Sequence, residues 1–120
     1  MDDKLYWYRA RVLRVVDGDT LKLDIDLGLG STRKITLRLF KVNTAEIFGV
    51  PKESEEYKRG MEAKVFVEER VLEKWVWVRT HKDKTGKYGR YLAEVFFQDD
   101  GGAHASIGKL LLEEDLAEDM

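Results

Sequence analysis

Apolar and polar residues alternate along much of the first third of the chain, a pattern typical of half-buried β-strands. The alternation is most regular over residues 20–27, and residues 6–16 and 33–42 repeat it with many aromatic and β-branched side chains. Residues 17–19 (Asp-Gly-Asp) and 28–31 separate these segments and favour tight turns, because Asp-Gly pairs accommodate positive φ. We therefore predict a meander of consecutive antiparallel strands.

The alternation stops in the middle of the chain. Residues 43–59 contain Pro51, the one proline of the sequence, and predict a long surface loop. Residues 60–74 carry apolar side chains at helical spacing with charged side chains between them, which predicts an amphipathic helix. A loop of this length in a small domain often has a function.

The last third of the chain returns to strands and ends in a helix. Residues 75–80 and 90–97 are predicted strands joined by a turn at 84–89, and Ser106 can cap the N-terminus of a final helix. The order β-β-β-α-β-β-α is that of a five-stranded OB-fold barrel with two helices, a mainly β fold of the α+β class. Since repeats and linkers are absent from the sequence, residues 1–120 predict a single domain.

The amino-acid composition excludes several kinds of functional site. The 120 residues are 43 % apolar, which is enough for a core, and they include no cysteine. A disulfide framework, a zinc–thiolate site and a thiol nucleophile are therefore excluded. The sequence contains no apolar run of the ~20 residues that a membrane span requires. Because the N-terminus lacks a signal-peptide pattern, we expect a cytoplasmic protein, or a secreted one if a signal was removed.

The formal net charge of −2 hides an uneven distribution. The last eight residues contain five acidic and no basic side chains, so the rest of the chain is net positive. Residues 79–90 hold five basic side chains against one acidic side chain. This basic segment can be a solvated hairpin tip, but a local positive field also attracts anionic ligands. The overall acidity therefore does not exclude a nucleic-acid partner.

The chemistry that remains uses oxygen ligands and arginine. His81 and His104 have no catalytic partner nearby in sequence, and we expect both to be surface residues. Calcium prefers carboxylate, amide and carbonyl oxygens. Oxygen-bearing side chains lie at the predicted turns, where the rim of a barrel brings them together: Asp17, Asp19, Asn43 and Glu46. The Asp-Gly-Asp group is equally well explained as a hairpin turn.

Two arginines stand out from the strand pattern. Arg38 lies among Leu37, Leu39 and Phe40, where a guanidinium is costly unless a group accepts its hydrogen bonds. Arg90 begins a predicted strand directly after the basic turn. Two guanidinium groups beside a carboxylate cluster suit a phosphate held next to a metal ion.

Three segments together resemble a known family. Residues 15–20 (VVDGDT), 37–46 (LRLFKVNTAE) and 83–93 (DKTGKYGRYLA) are similar to the signatures of the staphylococcal nuclease (thermonuclease) family, in the same order and at similar spacing. The resemblance covers nearly all of residues 8–117. It implies an OB-fold barrel that acts as a calcium-dependent endonuclease on the phosphodiester bonds of DNA and RNA.

The resemblance also implies a set of metal ligands. Asp19 would be the main carboxylate ligand of Ca²⁺, Asn43 would occupy a second ligand position, and the backbone carbonyl of Thr44 a third. The family's type enzyme has aspartate where this chain has Asn43, so we expect weaker or differently selective metal binding. Ala45 replaces a proline, so we expect a looser loop around Glu46. The type enzyme continues beyond Ala117 with a nucleotide-stacking tyrosine and a further helix, so we expect a weaker hold on substrate and less core coverage, or a partner chain that completes the surface.

The remaining roles concern the substrate. By resemblance, Glu46 would orient or deprotonate the attacking water, and Arg38 and Arg90 would bond the scissile phosphate and stabilise its developing charge. Lys87 and Tyr88 match positions that contact nucleotide. The expected partner is nucleic acid, with single strands favoured, and the expected state is a monomer. The alternatives are a catalytically weak or inactive OB module that binds nucleic acid or a protein, and a purely structural domain.

Overall fold

The computed structural model describes residues 7–85 and 91–119, and over residues 82–85 it describes the backbone alone. Its elements, in chain order, are β1 (Trp7–Asp17), β2 (Thr20–Gly28), β3 (Ser31–Leu39), β4 (Val42–Asn43), α1 (Glu55–Val71), β5 (Trp75–Thr85), β6 (Tyr91–Gln98), β7 (His104–Ser106), α2 (Ile107–Glu113) and β8 (Glu118–Asp119). Of the predicted turn at 84–89, residues 86–89 lie outside the described residues, and so does Arg90.

Five long strands close into a barrel, which confirms the OB-fold prediction. They pair in the order β3-β2-β1-β5-β6, and a parallel pairing between β3 and β6 joins the two ends of the sheet. In this closing pair Leu37 lies opposite Tyr91 and Leu39 opposite Ala93. The short β7 extends the sheet beyond β6, and β8 pairs separately with β4. Closure leaves the long strands few exposed edges, which suits a small mainly β domain.

The core fills the barrel and the space beneath α1. Alternate residues of each strand point inward, as a period of two requires. α1 adds Ala63, Val67 and Val71 to this core, and α2 adds Ile107 and Leu111, all of them fully buried. Neither α1 nor α2 is long and apolar enough to cross a lipid bilayer.

The helix α1 begins earlier than the sequence pattern predicts, at Glu55 instead of residue 60. The Ser54 hydroxyl accepts a hydrogen bond from the Tyr57 N–H at 3.1 Å, which caps the helix. Glu55 and Glu56 in the first turn favour the helix dipole but carry no apolar signal, so periodicity alone missed this turn. The predicted loop over 43–59 is correspondingly too long, and the chain between β4 and α1 is only residues 44–54.

Other boundaries also differ. β3 stops at Leu39 because Lys41 adopts a left-handed backbone conformation, with a φ of 60°, which turns the chain before β4. β5 continues to Thr85, well past the predicted end at residue 80. The two-residue β4 and β8 were not predicted, since segments this short have no readable alternation. Ser106 caps α2 as predicted, accepting a hydrogen bond from the Lys109 N–H at 3.2 Å.

A glycine in α1 allows the chain after β4 to lie directly on the helix. A Cβ atom placed on Gly60 would lie 2.5 Å from Ile47 Cγ2 and 2.7 Å from the Ala45 carbonyl oxygen. Both distances are far inside ordinary van der Waals contact. The close approach fixes the height of residues 44–47 above the helix, and these residues border the site described below.

We expect Gly60→Ala to destabilise the protein by about 1–3 kcal/mol, since the added methyl group must push the loop away from the helix. Intrinsic helix propensity alone would give the opposite sign, a gain of about 1 kcal/mol. Urea denaturation measures the change, with Glu69→Ala on the exposed side of the same helix as the control. A stabilised Gly60→Ala protein would contradict the close packing.

Candidate functional site

The turn between β1 and β2 places a carboxylate inside the protein. Asp19 is only 6 % exposed. Its Oδ1 accepts a hydrogen bond from the Thr20 hydroxyl at 3.0 Å, and its Oδ2 accepts one from the Thr44 N–H at 3.1 Å. A buried carboxylate is tolerated when hydrogen bonds replace its hydration. The second bond joins the first hairpin to the start of the loop after β4.

Local sequence explains how this turn is held. The Asp17 Oδ1 accepts the N–H of Asp19 at 3.2 Å, an interaction that Asp favours in turns. The carbonyl of Asp19 accepts the N–H of Leu39 at 2.9 Å, which attaches the turn to the end of β3. A Cβ atom on Gly18 would lie 2.8 Å from both Ala63 Cβ and Thr44 Cγ2. Glycine is therefore needed where the turn packs against the helix and the loop.

Arg38 completes the polar cluster. It lies on β3 directly opposite Thr20 of β2. Its Nη2 is 3.5 Å from Asp19 Oδ2 and donates a hydrogen bond to Asn43 Oδ1 at 3.0 Å. The guanidinium thus bridges two oxygens that the resemblance assigns to the metal. These two oxygens provide the acceptors that the mostly buried Arg38 guanidinium needs.

The two carboxyl groups of the turn titrate differently. Burial, together with the hydrogen bond to Asp19 and the charge of Asp19, raises the pKa of Asp17 to about 7. Burial also opposes ionisation of Asp19, but hydrogen bonds from Asp17, Thr44 and Thr20 and the charge of Arg38 outweigh it and lower the pKa of Asp19. The pair therefore holds one negative charge and one proton over much of the acidic range.

Glu46 lies beside this cluster in a cleft of about 320 Å³. The cleft is lined by Asn43, Thr44, Ala45, Glu46, Glu56, Arg59, Leu116, Ala117 and Glu118. The Glu46 side chain is exposed, and among the described residues its carboxylate has no hydrogen-bond or ion-pair partner. A carboxylate that faces water in a cleft can accept a proton from a bound water or ligand.

The structure therefore brings together most of the predicted site residues. Asp19, Arg38, Asn43 and the Thr44 backbone N–H form one hydrogen-bonded cluster, and Glu46 borders the adjoining cleft. The other predicted residues, Arg90, Lys87 and Tyr88, lie outside the described residues. Their proposed contacts with substrate stay predictions.

The histidines lie apart from this cluster. His104 is exposed, as expected. His81 is not the free surface residue that the sequence suggested, because it is half-buried, stacks on the Phe40 ring at 3.6 Å and lies 3.3 Å from Glu94 Oε1. A position in the middle of a strand, next to a partner on β6, explains this packing. These contacts join His81 of β5 to Phe40 after β3 and to Glu94 of β6, and they do not involve the polar cluster.

The oxygen-rich donor set is compatible with Ca²⁺ but contains few carboxylates. Within the described residues, no group of three or more His, Asp or Glu side chains converges on one point. A calcium ion here would depend on amide and carbonyl oxygens besides Asp19, which this cation accepts. The Thr44 hydroxyl is buried without a hydrogen-bond partner, so an unsatisfied polar atom lies at the same place. The oxygens of Asp19 and Asn43 contact the Arg38 guanidinium in this structure.

Sequence reasoning did not assign a role to three residues that build the cluster. The Thr20 hydroxyl bonds Asp19 directly, and its position at the end of the DGDT segment was the available signal. Gly18 and Gly60 permit the close contacts of turn, loop and helix. Glycine is required at these two positions because of tertiary contacts, which cannot be read from a single sequence.

We expect the stability of the metal-free protein to decline with rising pH because of Asp17. The folded state holds the Asp17 proton up to about pH 7, whereas the unfolded chain releases it near 3.8. This stabilisation is therefore complete below the unfolded pKa, declines above it, and is lost as the pH passes through the folded pKa. Asp17→Asn retains the hydrogen bonds without the titration, so its stability relative to wild type should rise between pH 4 and pH 7.

Urea denaturation with chelator at several pH values measures this difference. Asp26→Asn, an exposed position of the same hairpin, is the control. A difference between Asp17→Asn and wild type that is the same at pH 5 and pH 8 would contradict the raised pKa.

Comparison with known proteins agrees with this geometry. The family described as staphylococcal nuclease homologue matches residues 36–120, which include Arg38 and Glu46 but not Asp19. The chain is also 34 % identical over 105 aligned residues to an uncharacterized protein of Methanocaldococcus jannaschii. That alignment covers 74 % of this chain and 48 % of the relative, so the chain spans about half of that protein's length. Since the family match extends over most of its residues, the chain belongs to the staphylococcal nuclease homologue family, which is nuclease-like.

Proposed function

We propose that this protein is a calcium-dependent endonuclease that hydrolyses phosphodiester bonds of DNA or RNA. The observation that carries the proposal is the cluster in which Arg38 bridges the buried Asp19 and Asn43, beside the exposed Glu46. Membership of a nuclease-like family supports it. A protein that only bound nucleic acid would have no need of an unpaired carboxylate beside a buried carboxylate and a guanidinium.

In this proposal Asp19, Asn43 and the Thr44 carbonyl hold Ca²⁺. When bound, the ion would supply positive charge to a phosphate oxygen and bring water close to the phosphorus. The hydrogen bonds from Thr20 and Thr44 fix the orientation of the Asp19 carboxylate. A carboxylate fixed in advance loses little entropy when a ligand arrives.

The other residues act on the substrate. Glu46 accepts a proton from the attacking water or orients that water, because its carboxylate is exposed in the cleft that Asn43 and Thr44 of the cluster also line. Arg38 turns part of its guanidinium from Asn43 to the phosphate and stabilises the charge that develops during hydrolysis. Arg90 is proposed as the second guanidinium, and Lys87 and Tyr88 as nucleotide contacts, on the resemblance alone.

We expect Arg38→Gln and Glu46→Gln each to lower kcat by about 10²–10³, since each removes a group that acts on the charge or proton of the transition state. The measurement is cleavage of single-stranded DNA and of RNA with added Ca²⁺, and chelator should abolish it. Arg33→Gln on the same strand and Glu53→Gln in the same loop are matched controls that should retain activity.

Activity that survives both substitutions would show that another site or a contaminant is responsible. Binding of nucleic acid by wild type without any cleavage, across calcium concentrations up to the millimolar range, would favour the inactive OB module.

We expect Asn43→Asp to bind Ca²⁺ about tenfold more tightly than wild type, because it adds one negative charge at a proposed ligand position. Calorimetric titration with Ca²⁺ measures the change. Ser31→Asp adds the same charge at an exposed turn and is the control for net charge. Equal calcium affinities for Asn43→Asp and Ser31→Asp would place the metal elsewhere.

A further inference from the structure

The outer surface of the barrel carries an unusual set of cross-strand pairs between β1 and β5. Three successive pairs each join an arginine to a tryptophan: Trp7–Arg79, Arg9–Trp77 and Arg11–Trp75. The intervening residues of both strands, such as Ala10 and Val76, point into the core. All six side chains therefore lie on the outward side, and we call them the Arg–Trp face.

This face contains every tryptophan of the chain. Trp75 is 51 % exposed and Trp77 is 40 % exposed, although tryptophan is highly buried on average. The Arg9 guanidinium lies 5.2 Å from the Trp75 ring centroid and 5.5 Å from that of Trp77. The rings are thus held apart with a cation between them, and parts of their faces stay open to solvent.

Two arginines of β1 lie directly opposite carboxylates of β2, Arg9 opposite Asp26 and Arg11 opposite Asp24. Among the described residues, Arg9, Arg11 and Arg14 of β1 have no carboxylate within ion-pair distance. Arg14 lies directly opposite Lys22 of β2, and like charges in that position repel. On the outward side of β1–β3, Asp24 and Asp26 are outnumbered by six basic side chains, namely Arg9, Arg11, Arg14, Lys22, Lys34 and Arg38. A polyanion would relieve this repulsion.

The Arg–Trp face and the proposed active site lie on the same side of the sheet, connected along β2. The pair Arg14–Lys22 lies between the Arg–Trp face and the pair Thr20–Arg38, and each step is two residues along β2. Arg38 belongs to the polar cluster around Asp19. A chain of phosphates bound at Arg38 could therefore continue along β1 and β2 to the tryptophans.

We propose that single-stranded nucleic acid binds along the Arg–Trp face, with bases stacked on Trp75 and Trp77 and phosphates contacting Arg9 and Arg11. Alternation of exposed aromatic rings with arginines is typical of sequence-independent binding of single strands. Stacking between neighbouring base pairs hides the ring faces in a duplex, so the tryptophans favour single strands. The binding itself does not depend on catalysis, and only its alignment with the cleft rests on the proposed function.

Intrinsic fluorescence tests the proposal directly, because the three tryptophans all lie on this face. The probe is an oligodeoxythymidylate of about 16 nucleotides, added in the presence of chelator so that it is not cleaved. We expect saturable quenching of tryptophan fluorescence by the oligonucleotide and none by inorganic phosphate at the same charge concentration. Binding without quenching would place the strand elsewhere and overturn the proposal.

Variants examined by fluorescence anisotropy of a labelled oligonucleotide separate stacking from charge. Trp75→Ala/Trp77→Ala should weaken binding by about tenfold or more, whereas Trp75→Phe/Trp77→Phe, which retains the rings, should stay close to wild type. Arg9→Gln/Arg11→Gln should reduce the slope of log K against log salt by about 1.4, or about 0.7 for each phosphate contact. Lys52→Gln/Lys58→Gln removes the same charge from exposed positions near α1 and should leave the slope unchanged.

Two results would overturn this assignment. One is an equal salt slope for the two double charge variants, which would make the binding unspecific. The other is self-association in sedimentation equilibrium that Trp75→Ala/Trp77→Ala abolishes while oligonucleotide binding persists, which would make the face a protein interface. Circular dichroism checks that each variant folds. Binding is measured with chelator and cleavage is measured with Ca²⁺. A protein that binds the oligonucleotide with chelator but does not cleave nucleic acid with Ca²⁺ therefore refutes the proposed nuclease without refuting the binding face.

Discussion

Burial of the Asp19 charge is the constraint on which the site depends. A carboxylate that is removed from water must be bonded on nearly every side, and here the donors come from separate parts of the chain. Thr20 is its neighbour on β2, Arg38 lies on β3, and the Thr44 N–H belongs to the loop after β4. The β1–β2–β3 meander and the chain after β4 bring these donors together, so the site requires these segments to be packed against one another.

The same constraint divides the site into a fixed and a looser part. The turn around Asp19 is packed against α1 and the loop at distances that only glycine at position 18 permits. The backbone of Glu46 lies against Gly60 of α1, but its side chain is exposed in the cleft. Such an arrangement would hold the proposed metal ligand rigidly while leaving the proposed proton acceptor accessible to water, which suits the proposed hydrolysis of a large, open substrate.

The sequence was sufficient for the barrel because its signals are local. Alternation over β2, the Asp-Gly turn and the Ser106 cap each involve a few consecutive residues. The start of α1 was missed because Glu55 and Glu56 contribute charge and no apolar face, and the bridging of Asp19 and Asn43 by Arg38 was missed because it joins distant segments. The family resemblance nevertheless identified four residues that the fold brings together, namely Asp19, Arg38, Asn43 and Thr44. The Arg–Trp face depends on the register of β1 and β5, which no sequence pattern revealed.

The central claim is that Asp19 is the carboxylate around which a calcium site forms, and calorimetric titration of wild type and Asp19→Asn with Ca²⁺ tests it most directly. Asparagine has nearly the same shape and retains an oxygen for the Thr44 N–H, and circular dichroism establishes that the variant folds. The account predicts saturable binding to one site in wild type, the same binding in the control Asp26→Asn, and loss of binding in Asp19→Asn. Equal calcium binding by wild type and a folded Asp19→Asn protein, or no binding by wild type up to millimolar Ca²⁺, would contradict it.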